Sequence, residues 1–556
     1  MTSARSEWLD TALSYPQTSM TVWAPSMSAM YGDRAAVVDG DRVLSYRELD
    51  EKSAQFAGAL SAAGVVEHDV VLMHLGNCAD FHVAYYGALR VGAAVTLVNP
   101  LQPQPGLRRQ IEETGAVAAV TQSQQFDTLL GASADTTIRL IAVVSDDSVE
   151  AGAVDTIQFD TVQFDELLAR HSTEFVPAQV SGDDVAHIAY TGGTTGISKG
   201  VRVLHRNVVG NVTQMCGWRA GYQTVVNDGL VSLEKIDGLD IAGVVPGEGA
   251  TIVVSPLFHA HALINTSFLL ACGLTQVLAG RFDPARMLEL IEIHRASYIT
   301  GSPAMWHALA THPDVATRDL STVRVVSSGA APIDHVTLEA LGVAFPNATI
   351  AEGYGLTEGT CVVTAMPLVR GLGYRIGSVG LPVFDTQIEI RPQGDTTATV
   401  GPNERGELWI RGPQVTDGYL GHPEITAEQY VDGWLATGDI AYRDDDGYLF
   451  IADRAKDMLI YKGYNVYPRE LEEILVTHPS VSTAAVVGRD VGATGQEPVA
   501  FVVPLAGADV DEDELMAYVA ERVLPYKKIR DVVVLDSLPT SAAGKILKTD
   551  LRAQLA

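Results

Sequence analysis

The chain runs to 556 residues, 47% of them hydrophobic and 19% charged, a globular composition too long for one compact core. Thirty-eight Lys and Arg against 68 Asp and Glu leave a formal charge of −30. That balance disfavours nucleic acid as a partner, because counterion release needs clustered cations, and it disfavours electrostatic docking on an anionic membrane. A small anionic ligand held by a few local cations stays open.

Cys78, Cys216, Cys272 and Cys361 are far apart and contain no C-x-x-C pair. They suggest neither a zinc site nor a disulfide framework, and read as reduced, buried thiols of a cytoplasmic protein. Residues 1–10 are polar and lack the apolar stretch of a signal peptide. No run reaches the ~18 consecutive apolar residues of a membrane span. The most apolar stretch, 262–280, is broken by Asn265, Thr266, Cys272, Gly273 and Gln276. A soluble protein is expected.

In chain order, Ser45-Tyr46-Arg47-Glu48 is a capping box, and Leu49, Phe56, Ala57 and Leu60 follow at helical spacing. A β-rich run at 70–73, a helical pattern over 80–91 and an apolar run at 93–98 come next, ending at Asn99-Pro100. Such alternation predicts an α/β fold with largely parallel sheet. Residues 145–182 are acidic and loosely patterned, then 185–190 is β-rich. From 408 to 450, short strands between Gly, Pro and Asp turns predict a smaller β-rich unit. Apolar runs at 474–487 and 499–503 follow, and 511–523 reads as a helix with acids at its N-terminal end, where the macrodipole favours them. A charged run at 454–457 marks a boundary between a body of residues 1–455 and a smaller α+β unit of residues 456–556.

The densest motif is Tyr190-Thr191-Gly192-Gly193-Thr194-Thr195-Gly196-Ile197-Ser198-Lys199-Gly200. Its glycines admit close approach of backbone to ligand, its threonines supply hydroxyls, and Lys199 supplies charge, which together can cradle phosphate oxygens. No G-x-x-x-x-G-K-[ST] spacing fits, so it is not a Walker A loop. The bland alternative is a Gly-rich surface turn. A sharper rival is Gly196-Ile197-Ser198-Lys199-Gly200, which matches the G-x-S-x-G nucleophile elbow of serine hydrolases, with Ser198 as nucleophile.

Four further motifs share the chain: Glu352-Gly353-Tyr354-Gly355-Leu356-Thr357-Glu358, Thr437-Gly438-Asp439, Asp453-Arg454-Ala455-Lys456-Asp457, and Pro539-Thr540-Ser541-Ala542-Ala543-Gly544-Lys545. Five motifs in this order resemble the adenylate-forming (ANL) superfamily that includes the acyl-CoA synthetases, over most of the chain. The resemblance implies a large N-terminal body of several α/β sheets plus a small β-rich unit, and a mobile C-terminal lid that turns about Lys456.

It also implies a chemistry: a carboxylic acid, aryl or medium-chain, attacks ATP to give an acyl-adenylate and pyrophosphate, and the thiol of CoA then takes the acyl group. Under that implication Thr191, Gly192, Gly193, Thr194, Thr195, Gly196 and Lys199 hold phosphates, while Gly353, Tyr354 and Gly355 seat adenine. Thr357 reaches the α-phosphate, and Glu358 holds Mg²⁺, a cation that takes few protein ligands. Asp439 and Arg454 address the ribose. Lys545 bridges substrate carboxylate and α-phosphate. Gly463 and Tyr464 line a CoA tunnel, with His259 as a gate; a structural histidine is its alternative. His261, Asn265, Gly301, Ser302, Ser328, Gly329 and Gly353 wall the acyl pocket.

The segment 256–263 lacks the Asp that the amino-acid-activating branch carries, which disfavours an amino acid. Two features depart from the family pattern. Ser198 stands where proline is usual, and 218–249 is longer than usual, either a cover for the acyl pocket or a surface excursion. Residues 524–552 hold six Lys and Arg against three acids, a net of +3 inside an acidic chain, which suits a CoA phosphate. Carrier-protein or amine acceptors remain open within the family, and a homodimer is compatible with it.

Overall fold

The computed structural model describes residues 11–145, 160–191, 198–329, 333, 335–369, 375–462, 464–505, 507–540 and 546–555. The first half builds a seven-stranded sheet in the order Asp160–Gln163, Leu140–Val144, Ala118–Gln122, Val70–His74, Ala94–Leu97, Val185–Thr191, Lys199–Leu204. Every neighbouring pair is parallel except the last. Its central strands are buried along almost their whole length, which is why they read as unbroken apolar runs. The capping box forms as expected. Glu48 N–H donates to Ser45 Oγ at 3.1 Å and Ser45 N–H to Glu48 Oε2 at 2.8 Å, opening the helix Tyr46–Ala62. Phe56, Ala57 and Leu60 on its inner face are fully buried.

A second layer joins two sheets. One runs Ala250–Val253, Thr275–Leu278, Ala35–Asp39, Arg42–Ser45, and the other Tyr298–Gly301, Val325–Ser328, Thr349–Gly355, Val362–Ala365, Leu381–Pro382. The first three strands of each are parallel, and an Ala250–Ala296 bridge links the two sheets. The β-rich unit is antiparallel, built from Gln387–Arg391, Gly406–Arg411, Trp434–Arg443, Leu449–Arg454 and Tyr430–Val431.

The long 218–249 stretch forms a hairpin, Tyr222–Asn227 with Leu230–Lys235, whose tip is exposed. It packs on the helix Trp23–Tyr31, where Ser26 Oγ accepts from Val231 N–H at 2.8 Å. The chain then returns to bridge Ile241 with Val369.

Beyond the turn at 454–458, a hairpin (Leu459–Tyr461, Tyr464–Val466), the helices Pro468–Leu475, Glu512–Ala520 and Lys548–Ala553, and a three-stranded sheet gather around a separate core. Leu471, Leu475, Val486, Val502, Leu515 and Val519 are among its fully buried members. Asp511 caps Glu512–Ala520 through the N–H groups of Asp513 and Glu514, so the acids at that helix start have a mechanical as well as an electrostatic use. The helix Pro468–Leu475 contacts the β-rich unit: Arg469 N–H donates to Asp453 Oδ2 at 3.0 Å, and Arg405 lies over the Tyr467 ring at 4.4 Å. All four cysteines are free and buried, and burial pushes the Cys78 and Cys361 thiols up to about 12. No helix among the described residues is long and apolar enough to cross a membrane.

Candidate active site

The phosphate motif lies on an antiparallel pair, Val185–Thr191 with Lys199–Leu204, in which Thr191 stands opposite Lys199. The connecting Gly192, Gly193, Thr194, Thr195 and Gly196 fall outside the described residues, as do Gly463 and Lys545. Ser198 Oγ donates to the Thr191 carbonyl. The serine therefore enters a second strand, whereas a nucleophile elbow is a strand-to-helix turn. Its hydroxyl is used to close the hairpin, and the hydrolase reading loses its geometric basis.

A short segment, 416–420, docks on the outer side of this pair. Tyr419 bridges to Val201, Arg202 N–H donates to the Gly418 carbonyl at 3.0 Å, and Leu420 N–H donates to the Gly200 carbonyl at 2.8 Å. The same segment holds the second motif, at Glu358. Thr416 donates twice to the Glu358 carbonyl, from its N–H and its Oγ1, each at 2.9 Å. Tyr419 Oη donates to Glu358 Oε1 at 2.7 Å, while its ring lies 5.5 Å beneath the Lys199 ammonium. Tyr419 carries no motif in the sequence; only its tertiary position reveals it.

Thr357 and Glu358 open a single 3-10 turn, Thr357–Gly359, at the end of the strand Thr349–Gly355. Gly355 is required there, since a Cβ would overlap the Cys361 carbonyl. Thr360 leaves the turn at φ +62°, in the left-handed region. Tyr354 Oη donates to Asp439 Oδ2 at 2.5 Å, and burial, then the Asp439 charge, holds its phenol well above the ordinary value. Asp439 and Arg454 are direct partners across adjacent strands, with Arg454 Nε 3.7 Å from Asp439 Oδ1. Aromatic ring, carboxylate and guanidinium thus stand together at the lip of the β-rich unit.

The nominated acyl residues gather at the C-terminal ends of parallel strands, where open α/β sheets place their ligands. Gly301, Ser328 and Glu352 are in register across three strands. The helix Ala260–Ala271 faces them. His259 is its N-cap residue with its ring centroid 4.5 Å from that of Phe258. His261 Nε2 lies 3.1 Å from Thr300 Oγ1, and a Cβ on Gly329 would sit 3.4 Å from the same nitrogen. Asn265 is buried and donates to the His261 carbonyl at 2.7 Å. Ser328 Oγ is buried without a partner among the described residues.

Two of these residues also have packing roles that spacing does not reveal. Ser302 Oγ accepts from Met305 N–H at 3.4 Å as the cap of the helix Pro303–Ala310, and a side chain at Gly301 would run into Met305.

Lys456 sits in the 454–458 turn, where Met458 N–H donates to the Arg454 carbonyl at 3.0 Å. Burial, then neighbouring Arg454, lowers its pKa. Tyr464 is exposed and stacks on Tyr526, ring centroids 4.5 Å apart at 18°. A cleft of about 960 Å³ between Arg34, Glu248, Arg295 and Arg324 lies elsewhere, where the strands Ala35–Asp39, Ala250–Val253 and Thr275–Leu278 begin.

No group of three or more His, Cys, Asp or Glu among the described residues could cage a metal ion. Glu358 offers a carboxylate anchored through Oε1 by Tyr419. One carboxylate completed by phosphate oxygens and water fits Mg²⁺, which seldom takes an all-protein cage.

The chain matches the family model of the AMP-binding enzyme over residues 26–420 and that of the AMP-binding enzyme C-terminal domain over residues 470–545. The 4-coumarate–CoA ligase 3 of Oryza sativa subsp. japonica is 35% identical over 536 residues, 95% of this chain and 90% of the relative. The 4-coumarate–CoA ligase 1 of Solanum tuberosum is 35% identical over 534 residues, 95% of this chain and 92% of the relative. A solved structure of an anthranilate CoA ligase in complex with anthranoyl-AMP shares the fold, with TM-score 0.84 at 22% identity, over 99% of this chain and 98% of that one. Motif order, site geometry and these matches agree: the chain belongs to the AMP-binding enzyme family.

Proposed function

We propose that the chain joins an aryl carboxylic acid to CoA in two steps at one site. The carboxylate oxygen attacks the α-phosphorus of ATP, the bond to the β-phosphate oxygen breaks, and pyrophosphate leaves. The thiol sulfur of CoA then attacks the acyl carbon, giving thioester, AMP and a proton. The observation that carries this reading is the convergence of Thr191 and Lys199, the Glu358 turn, and the Tyr354–Asp439–Arg454 group around one edge of the body. An aryl acid is favoured because the similar ligases are named for 4-coumarate and anthranilate.

In the first step the protein's task is positioning and charge neutralisation, and no general base is required. Lys199 neutralises phosphate charge, Thr357 reaches the α-phosphate, and Asp439 with Arg454 fixes the ribose. Glu358 would hold Mg²⁺, which when bound supplies further neutralisation of the phosphates. Lys545 bridges the carboxylate and the α-phosphate. Residues 456–556 act as a lid turning at Lys456, which brings Lys545 to the site for the first step and Gly463 and Tyr464 to the thiol for the second. His259 gates the passage between acyl pocket and thiol.

Pyrophosphate and AMP release across a panel of acids, with and without CoA, tests the reading. Acid-dependent pyrophosphate release with CoA-dependent loss of free thiol is expected. Absence of acid-dependent pyrophosphate release from every acid overturns it.

A further inference from the structure

We propose that Tyr419 is a positioning residue that sets Glu358 and Lys199 at a fixed separation around the triphosphate; this rests on the reading of the site as an ATP site. Glu358 is held from both ends by the 416–420 segment. Its carbonyl accepts two hydrogen bonds from Thr416, and its Oε1 accepts one from Tyr419. The carboxylate is thereby anchored through Oε1, and Oε2 is the oxygen that would take a cation accompanying the phosphates.

The other face of Tyr419 serves Lys199. The ammonium lies over the ring at 5.5 Å, a cation–π arrangement that orients the lysine without consuming its donors. Backbone pairing of 418–420 with 200–202 makes the arrangement rigid, because the strand that carries Lys199 is the strand on which Tyr419 is docked. Tyr419 is itself fixed: Gln429 abuts its hydroxyl, and the Tyr430 ring packs edge-on with centroids 6.3 Å apart. Hydrogen-bond partners of a ligating carboxylate matter for metal affinity, by about 10–100-fold when removed.

The experiment compares Tyr419→Phe, which keeps the ring and loses the hydroxyl, with Tyr419→Leu, which loses both. The direct readout is Mn²⁺ affinity by electron paramagnetic resonance, in the full chain with α,β-methylene-ATP bound. Tyr419→Phe is expected to weaken Mn²⁺ about 10–100-fold with analogue affinity in the absence of metal unchanged. Tyr419→Leu is expected to weaken the analogue as well. Thioester formation from synthetic acyl-adenylate, which needs no triphosphate, should be retained by both. Combined with Glu358→Gln, Tyr419→Phe should have no further effect on Mn²⁺ binding, and that pairing separates action through Glu358 from a general loss of fold.

Unchanged Mn²⁺ affinity in Tyr419→Phe, equal losses in both half-reactions, or additive losses in the double variant overturn the inference alone. A wild-type chain that binds no ATP analogue overturns the ATP reading and the inference with it.

Discussion

Asp439 and Arg454 face one another across neighbouring antiparallel strands of the β-rich unit, opposite in charge and 3.7 Å apart at Oδ1 and Nε. Arg454 remains partly exposed, and Asp439 is also the acceptor for Tyr354. Arg454 and Tyr354 thus hold the Asp439 carboxylate through its two oxygens.

Asp439→Asn keeps the shape and removes the charge. It is expected to raise the KM for ATP about 10–100-fold, the worth of charge-assisted hydrogen bonds of about 1.5–3 kcal/mol. Pyrophosphate release at varied ATP measures it. A KM for the acid that rises in parallel would show that the site had been disordered as a whole.

Lys545→Ala is expected to lower adenylation by about 10²–10³-fold, the scale of losing one preorganised charge partner. Thioester formation from synthetic acyl-adenylate should be kept. Separate assays of the two half-reactions decide the matter, and an equal loss in both speaks against a lid that presents Lys545 only in the first.

His261→Ala removes the ring that meets Thr300 and Gly329. A rise of about 3–10-fold in the KM for the preferred acid is expected, the scale of one hydrogen bond, with the KM for ATP unmoved. Equal shifts for acid and ATP would place His261 outside the acyl pocket.

Gly355→Ala puts a methyl group into the Cys361 carbonyl. A backbone atom cannot swing aside as a side chain does, so a loss of about 3 kcal/mol is expected. Urea melts read it, with the midpoint falling at an unchanged slope.

Four buried histidines set the acid limit of the fold. Desolvation of the charged ring lowers His74, His82 and His205 to about 4 and His187 to about 3, from an ordinary 6.5. Below pH 6.5 the unfolded chain takes up protons that the folded chain refuses until about pH 4. Their stabilising effect is therefore full above 6.5 and is lost as the pH falls through that window. Tm should drop steadily from pH 6.5 to 4, and His82→Gln should make the drop shallower. A Tm independent of pH over this range would contradict the burial of these rings.

Local signals carried most of the fold and part of the site. The Ser45–Glu48 box is legible because its partners lie three residues apart, and the inner strands because both faces are buried. The hairpin around Ser198 is not, since a Gly- and Thr-rich stretch carrying G-x-S-x-G between β-rich residues also suits a strand-to-helix elbow. Ser302 and Gly301 sit at the acyl strand ends, yet a helix cap and the bulk of Met305 already account for them, and spacing cannot tell a wall from a cap. Tyr419 has no local signal at all. Its importance comes from meeting Glu358, 61 positions earlier, which only the completed tertiary structure brings about.

The 416–420 segment belongs by sequence to the β-rich unit, lies against the edge of the seven-stranded sheet, and grips a turn that extends from a third sheet. Its hydrogen bonds can form only after all three sheets have docked. The contacts that fix Glu358 and Lys199 relative to one another therefore depend on three sheets at once, and undocking any one of them releases both side chains together.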